Sequence, residues 1–338
     1  MAVPSWATTS HASPGNSCYA FFGFLVVSSH PILGLLPAKT DHPDISVTFG
    51  RVPSRAKRDR ALEEEVFSSS TLAPSGQPTF RLFKNCDGMA HVLYGDGVEF
   101  WIDPSSGHIW SIWPESVTFG SVTLYLLGPI FGLMLRFRGV VCLHASSVVI
   151  DDRAFLFTGD AGAGKSTTAA AMSQRGHALL ADDIVAITDR DGKFLATPAY
   201  PYISLWPEST KMICGPGAKL PALINGFEKQ RFSPANFQNS PVPLGGIFAF
   251  GERSAGEDLP RIDELTPREQ LMTLVANSYG SHVLPDSSRA EEFQLFGRMV
   301  GAVPIRRLLP HSDPALLNRL CELIEQESRS SQSRAFAA

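Results

Sequence analysis

The chain has 338 residues, of which 44% are hydrophobic and 18% charged, as in folded globular proteins rather than fibrous or disordered ones. A net charge of -4 argues against a nucleic-acid-binding surface, which needs clustered positive charge. The five cysteines show no paired spacing typical of zinc sites or disulfide scaffolds, so we expect a cytoplasmic protein.

Residues 1–76 are rich in Ser, Thr, His and Pro and contain a basic run followed by three glutamates. We predict a disordered or loosely packed extension here, with a short packed segment as the second interpretation and a membrane anchor as the third. The apolar stretch 18–27 is shorter than the ~20 residues that a spanning helix needs. No Lys or Arg precedes it, as one would in a signal peptide, so we expect no membrane partner.

Residues 77–118 contain short runs of β-forming residues, separated by turn sequences such as Asp-Gly and Gly-Asp-Gly. This spacing predicts a small antiparallel β meander, in which β propensity explains the aromatic residues better than a binding face does. Residues 122–135 are apolar all round, which predicts a buried helix too short to cross a bilayer. Predicted strands follow over residues 140–150 and 154–157.

Residues 159–166 read GDAGAGKS and match the phosphate-binding pattern G-x-x-x-x-G-K-S/T. The glycines let the backbone turn tightly and bring N–H groups within reach of phosphate oxygens. A predicted helix begins at Thr167, so its positive N-terminal end would face those phosphates. Lys165 would reach the β- and γ-phosphates, and the Ser166 hydroxyl would bind Mg²⁺. A glycine-rich turn without a nucleotide is the alternative interpretation.

An acidic pair, Asp182 and Asp183, follows a predicted buried strand at residues 178–181. Ligands of open α/β sheets sit at such carboxyl ends, and a carboxylate there could accept the proton of a serine hydroxyl. The spacing does not say which of the two is the base, and a pair that only binds metal or caps the strand is the alternative. A hairpin at residues 151–152 would fold His144 back towards the glycine-rich turn, which favours a functional histidine over a core histidine.

The order LHASSV, GDAGAGKST and RGHALLADD resembles the kinase domain of the HPr kinase/phosphorylase family. It looks most like the branch found beside lasso peptide biosynthesis genes, whose members phosphorylate a serine of a precursor peptide, at its C-terminus in the known cases. The resemblance is strongest over residues 139–185 and weaker to about residue 327. It implies an α/β P-loop kinase domain over residues 119–328, behind the β meander and the extension, with a polar tail over 329–338.

The resemblance also implies ATP and Mg²⁺ as cofactors and a set of site residues. The implied catalytic residues are His144, Lys165, Asp182 and Asp183, and the implied metal ligands are Ser166 and Asp182. The implied ATP-binding residues are Gly159, Asp160, Ala161, Gly162, Ala163, Gly164, Lys165, Ser166 and Thr167.

Two departures from HPr kinases separate the possible functions. Thr167 stands where HPr kinases usually carry an acidic residue, and the E-I-R-G signature that holds a Mg²⁺-binding glutamate is missing. Residues 201–208 read PYISLWPE instead, which resembles the L-W-P motif of the lasso-associated branch. We therefore predict a peptide serine kinase first, an HPr kinase/phosphorylase second and a non-catalytic nucleotide-binding module third. A homo-oligomer is left open.

The remaining residues give weaker predictions. Glu208 is either a substitute metal ligand or an exposed turn carboxylate, and Trp206 either covers the substrate cleft or packs in the core. Residues 229–232 either present cations to phosphate or form a solvated loop. A further strand is predicted at residues 242–250, and helices are predicted at 266–277, 291–300 and 313–328.

Overall fold

The computed structural model describes residues 17–54, 63–224 and 228–335. The chain folds into two compact units, Met1–Arg138 and Gly139–Ala338. The sequence predicted boundaries after residues 76 and 118 instead. The predicted extension, the predicted meander and the apolar helix therefore all belong to the first unit.

The first unit contains an eight-stranded mixed sheet in the order β1-β2-β3-β8-β7-β6-β5-β4. Its strands are β1 (Ser17–Phe21), β2 (Phe24–Ser28), β3 (Ile45–Phe49), β4 (Glu64–Ser68), β5 (Phe80–Lys84), β6 (Ala90–Tyr94), β7 (Glu99–Asp103) and β8 (His108–Ile112). Strands β5 to β8 form the predicted antiparallel meander. Parallel pairs β2–β3 and β3–β8 join the first three strands to it.

The prediction of a disordered extension is wrong for residues 17–54 and 63–76. Alternate residues of β3 (Ile45, Val47 and Phe49) are buried, so this short segment supplies one face to the core. The five-residue strands carry too little periodicity to stand out in a Ser- and Pro-rich context. The rest of that prediction, residues 1–16 and 55–62, lies outside the described residues.

The apolar segment of the first unit is helical from Phe119 to Phe137, as α1 (Phe119–Tyr125), a π-helical turn (Leu126–Ile130) and α2 (Phe131–Phe137). Pro129 lies in the π-helical turn, where the absence of its N–H favours a widened backbone. Among the described residues, this is the one helix long and apolar enough to cross a membrane by length and composition. In its most apolar window 61% of the residues are buried in the protein, as in a core helix.

The second unit has a mixed sheet in the order β10-β9-β12-β13-β16-β18-β17, with β11 beside β9 and a further β10–β16 pairing. Its strands are β9 (Val141–Ile150), β10 (Arg153–Thr158), β11 (Ala178–Ala181), β12 (Ile184–Arg190), β13 (Lys193–Thr197), β14 (Ile203–Leu205), β15 (Gln230–Phe232), β16 (Val242–Phe250), β17 (Arg261–Glu264) and β18 (Ile305–Leu309). Strands β14 and β15 form a separate two-stranded ribbon.

The helices of this unit are α3 (Lys165–Gln174), α4 (Pro207–Cys214), α5 (Pro267–Ala276), α6 (Asp286–Met299) and α7 (Leu317–Ala335), with 3₁₀ turns at Ser281–Val283 and Pro314–Leu316. Helix α5 begins with the predicted capping box of Thr266 and Glu269. Helix α7 continues to Ala335. The prediction of a polar tail from residue 329 onward is therefore wrong over residues 329–335. Residues 336–338 of that tail lie outside the described chain.

Strand direction determines where the polar side chains meet. Strands β10 and β11 both run antiparallel to β9, so their carboxyl ends lie at the same edge of the sheet. Strands β16 and β18 run parallel to β10 and end at that edge too. Helix α3 covers the sheet through buried Ala169 and Met172, which pack with Phe157 and Leu320. The residues that follow β10 and β11 are therefore held next to each other by a rigid core.

Candidate active site

The glycine loop (residues 159–166) joins β10 to α3. Gly159, Gly162 and Gly164 have φ angles of 136°, 80° and 114°, a region that residues with side chains rarely adopt. The loop ends at Gly164, the N-cap of α3, which has no side-chain cap. The backbone N–H groups at the start of α3 are thus open to an anion, as the sequence predicted.

Lys165 is buried and folded over this loop. Its Nζ donates to the carbonyl oxygens of Gly159 at 2.7 Å and of Asp160 at 3.0 Å. Burial lowers the pKa of Lys165, and the negative charges of Asp183 and Asp182 oppose that shift. The ammonium is therefore placed beside the loop, with weak acceptors that a phosphate oxygen could replace.

Asp182 is the most enclosed polar group of the site, with 1% of its surface exposed. Its Oδ1 accepts hydrogen bonds from the hydroxyls of Ser146 at 2.6 Å and Ser166 at 2.8 Å, and its Oδ2 accepts one from the Ser204 N–H at 3.0 Å. Burial raises the pKa of Asp182, and these three hydrogen bonds oppose the shift. Among the described residues, no lysine or arginine forms a salt bridge with it. The predicted metal ligands Ser166 and Asp182 are thus in direct contact.

Asp183 differs from its neighbour in exposure and conformation. Its side chain is 46% exposed, and its φ of 71° is unusual for a residue with a side chain. His144 Nδ1 lies 3.0 Å from the Asp183 carbonyl oxygen and 3.4 Å from its Oδ1. Since a carbonyl oxygen can only accept, Nδ1 carries a proton and the other ring nitrogen, Nε2, is left for a ligand. The hairpin that was predicted to return His144 to the loop is formed by β9 and β10.

Asn277 connects His144 to the glycine loop, a connection that sequence reasoning missed. Its side-chain Oδ1 accepts from the Gly159 N–H at 3.0 Å, and its carbonyl oxygen accepts from the His144 N–H at 2.8 Å. Its Nδ2 donates to the Thr273 carbonyl of α5 at 2.8 Å. One residue at the end of α5 therefore fixes the start of the loop relative to the histidine.

Arg253 is a second cation on the loop that the sequence did not point to. Its Nη2 donates to the Ala163 carbonyl at 2.9 Å, and a Cβ added to Gly164 would lie 2.7 Å from the same nitrogen. Arg253 follows β16 and is exposed. The glycine at position 164 thus makes room for this guanidinium as well as for the turn.

Helix α4 forms another wall of the site. The Ser209 hydroxyl in its first turn hydrogen-bonds the Thr167 hydroxyl of α3 at 2.8 Å. Trp206 precedes α4 and is 45% exposed, so the prediction that it borders the cleft is favoured over a core position. Lys229 Nζ lies 5.3 Å from the centroid of its ring. Arg231 instead stacks on buried Tyr202 and serves packing, as its centroid distance of 4.8 Å indicates.

A single cavity of about 480 Å³ joins these walls, a size typical of small-ligand sites. Its lining includes His144, Lys165, Ser166, Asp183, Trp206, Glu208, Lys229 and Arg253. The structure thus brings the predicted loop, histidine and acidic residues together. Their chemical roles remain predictions.

The oxygen ligands that Ser166 and Asp182 offer to a metal ion fit Mg²⁺ rather than a transition metal. Magnesium is usually held by one or two carboxylates and by substrate phosphates, with few other protein ligands. The described residues contain no cluster of three His, Cys, Asp or Glu side chains suited to a metal cage. A buried carboxylate without a cationic partner, next to a hydroxyl and an anion-binding loop, provides the one-carboxylate arrangement.

Comparison with known proteins agrees with this arrangement. Residues 137–204 match the family model of the HPr Serine kinase C-terminal domain. This segment is HPr kinase-like. The HPr kinase-like segment contains His144, the glycine loop and the acidic pair.

Individual relatives match this chain over part of their length. The HPr kinase/phosphorylase of Clostridium botulinum (strain Eklund 17B / Type B) is 32% identical over 102 residues, 29% of this chain and 31% of the relative. That of Lacticaseibacillus casei (strain BL23) is 28% identical over 159 residues, 46% of this chain and 45% of the relative. The chain thus spans less than half of each of these relatives. The structure of the Hpr(Ser) kinase/phosphatase from Coxiella burnetii aligns with a TM-score of 0.30 and 15% identity, covering 56% of this chain and 98% of that one, a likeness too distant to add weight.

Proposed function

We propose that this protein is an ATP-dependent kinase that transfers the γ-phosphate to a serine hydroxyl of a peptide. The observation that carries the proposal is the contact of buried Asp182 with Ser166, beside a more exposed Asp183 in the cavity that also holds Lys165. The adjacent carboxylates have different surroundings, as groups with different tasks do. The HPr kinase-like character of residues 137–204 supports the same reaction class.

The two carboxylates are assigned from their surroundings. Asp182 already receives three hydrogen bonds and has 1% exposure, so it suits metal binding better than proton transfer to a substrate. Asp183 lines the cavity and is 46% exposed, so a serine hydroxyl can approach it. We therefore assign Asp183 as the general base, a choice that the sequence left open. Mg²⁺ held by Ser166 and Asp182 would supply positive charge to the phosphates.

The proposed transfer balances as a displacement at phosphorus. The serine oxygen forms a bond to the γ-phosphorus while the bond from that phosphorus to the β–γ bridging oxygen breaks. The serine proton moves to Asp183. Lys165, released from the Gly159 and Asp160 carbonyls, would donate to phosphate oxygens, as would N–H groups of the glycine loop. In its imidazolium form His144 would donate its second ring N–H, at Nε2, to an oxygen of the transferred phosphate.

We propose a lasso peptide precursor as the substrate, with its C-terminal serine as the acceptor, in the cytoplasm. The support is the resemblance of residues 201–208 to the L-W-P motif and the absence of the E-I-R-G signature. HPr is the alternative acceptor, because the matched relatives are named HPr kinase/phosphorylase.

The test offers radiolabelled ATP and Mg²⁺ to the full chain, with a serine-ended precursor peptide and HPr in parallel. We expect label on the peptide serine, and none with Asp183→Asn or Lys165→Ala. Label on HPr alone would overturn the peptide assignment and keep the kinase. Label on neither acceptor, with ATP still bound in equilibrium dialysis, would favour a non-catalytic nucleotide-binding module.

A further inference from the structure

Two large apolar side chains are exposed inside the cavity itself. Trp206 is 45% exposed and Met212 is 40% exposed, and both line the cavity that contains Asp183. Comparable side chains elsewhere in this unit, such as Met272 at 57%, lie outside that lining. Apolar surface left open next to a reacting group is typical of a binding site.

Met212 lies on α4 and Trp206 directly precedes it, and α4 is fixed to the glycine-loop helix α3. Besides the hydroxyl contact of Thr167 with Ser209, the Gln174 Nε2 donates to the Ile213 carbonyl at 2.8 Å. The Ile213 side chain is buried in the core against α3. Because α4 is attached to α3 at both ends, Trp206 and Met212 keep a set position relative to the loop.

Lys229 completes this surface from the β15 side. Its Nζ lies 5.3 Å from the centroid of the Trp206 ring, which holds the side chain along the indole. The cavity lining carries three cations and three carboxylates, so its charges balance: Lys165, Lys229 and Arg253 against Asp183, Glu208 and Asp313. Charge therefore gives the surface little selectivity, whereas its apolar area remains open.

We propose that Trp206, Met212 and the apolar stem of Lys229 form an acceptor platform. It takes a large apolar side chain of the substrate, within two residues of the phosphorylated serine. This proposal rests on the kinase function proposed above and specifies its substrate class. The occupant is the acceptor segment, since the platform lines the same cavity as Asp183, the proposed base.

The test uses synthetic peptides with one serine in an Ala/Gly background, in which each of the two residues on either side of the serine is Leu or Ala. For the natural protein we expect the best Leu peptide to exceed its Ala counterpart about 10-fold in kcat/KM. In Trp206→Ala and Met212→Ala the ratio should fall to within about twofold, while KM for ATP is unchanged within about twofold. Trp206→Phe, which keeps an aromatic face, should give an intermediate ratio.

Met272→Ala is the matched control, because it removes an exposed methionine of the same unit away from the cavity. It should keep the full Leu preference. Lys229→Met should keep it as well, since only the stem is required. Loss of the preference in Lys229→Met, or an equal effect of Met272→Ala and Met212→Ala, would overturn the platform.

Peptide binding by calorimetry separates this proposal from the kinase proposal. Leu-dependent binding that Trp206→Ala removes, without any transfer, would support the platform and refute the kinase. Transfer with equal rates for Leu and Ala peptides would refute the platform and leave the kinase standing. Neither binding nor transfer with any peptide would refute both.

Discussion

The buried side chains of His91, in the first unit, and Asp182, in the second, each lie in a hydrogen-bonded cluster, and the two clusters differ in charge balance. In the first unit, His91 is 5% exposed and lies between the carboxylates of Glu63, at 2.9 Å from Nδ1, and Glu99, at 3.0 Å from Nε2. Its ring stacks on Trp101 with centroids 4.7 Å apart. In the second unit, Asp182 receives hydrogen bonds from two serine hydroxyls and one backbone N–H, all of them neutral donors.

We interpret the His91 cluster as structural and the Asp182 cluster as part of the proposed site. His91 has an acid at each nitrogen and an aromatic ring on its face, so no position is left for a ligand. Asp182 has no lysine or arginine partner among the residues that the structure describes, and burial raises its pKa. A buried charge without a partner is costly, and such sites are often completed by a cation or a substrate.

Removing the proposed base or the loop lysine should give the largest effect on activity. Asp183→Asn and Lys165→Ala should each lower kcat about 10³-fold, since general-base catalysis and charge stabilisation contribute on that scale. Thermal unfolding should stay within a few degrees of the natural protein, because Asp183 is half exposed. Full transfer rates in either variant would contradict the assignment of the site.

Removing His91 should affect stability instead. His91→Ala removes the buried ring that bonds the carboxylates of both Glu63 and Glu99, so we expect a loss of about 3–5 kcal/mol in urea unfolding. The rate of transfer per folded molecule should not change. His42→Ala, at an exposed position of the same unit, is the control and should be neutral. A His91 variant with normal stability and lost transfer would reverse the contrast.

Asn277 should act on activity by positioning the loop. Asn277→Ala frees the Gly159 N–H, so the loop and His144 lose their common anchor and kcat should fall about 10-fold. Asn277→Asp keeps an oxygen for the Gly159 N–H and should recover part of the rate. Asn236→Ala removes a hydrogen bond to Gly176 at the other end of α3 and serves as the control. An Asn236 variant as slow as the Asn277 variant would point to general loosening.

Because the buried Asp182 carboxyl has no lysine or arginine partner among the described residues, we predict that Mg²⁺ binding there stabilises the protein. ATP with Mg²⁺ at about 100 times its Kd should stabilise the natural protein by about 2.7 kcal/mol, and EDTA should remove most of this gain. Asp182→Asn should show little difference between Mg²⁺ and EDTA in thermal unfolding, while it stays folded because a buried charge has been removed. An Mg²⁺-dependent shift of normal size in this variant would exclude Asp182 as the ligand.

The local sequence pattern was enough to find the glycine loop and the acidic pair, which includes Asp182. The glycine loop, β11 and the acidic pair lie within one short stretch of sequence, where composition and spacing report directly on strand, turn and helix. Strands β11 and β16 fall on the predicted residues, 178–181 and 242–250. The meander was predictable for the same reason, since its turns and strands are neighbours in sequence.

Contacts between distant residues could not be predicted in this way. The Asn277 side chain meets Gly159 across 118 positions, and Arg253 meets Ala163 across 90. Neither residue type carries a local signal for such a contact. Strand β3 was missed because it pairs in parallel with β8, which lies outside the segment, and β1 and β2 were missed because five-residue strands carry too little periodicity.

Glu325 has charged partners, as His91 does, but its side chain lies nearer the surface. We therefore expect its replacement to change the stability least. Its carboxylate pairs with Arg175 at 2.7 Å and His177 at 3.1 Å, which joins α7 to the end of α3. The hydrogen bonds from Arg175, followed by that from His177, lower the pKa of Glu325 from 4.5 to about 2. A lowered folded pKa means that the stabilisation is complete above pH 4.5 and is lost as the pH falls towards 2.

Because Arg175 is 30% exposed, we expect this ion pair to stabilise the fold by at most about 1 kcal/mol. The measurement is the difference in unfolding free energy between the natural protein and Glu325→Gln, at pH 7 and at pH 3. The difference should shrink at pH 3, and a difference that grew on acidification would show that the pair does not stabilise the fold.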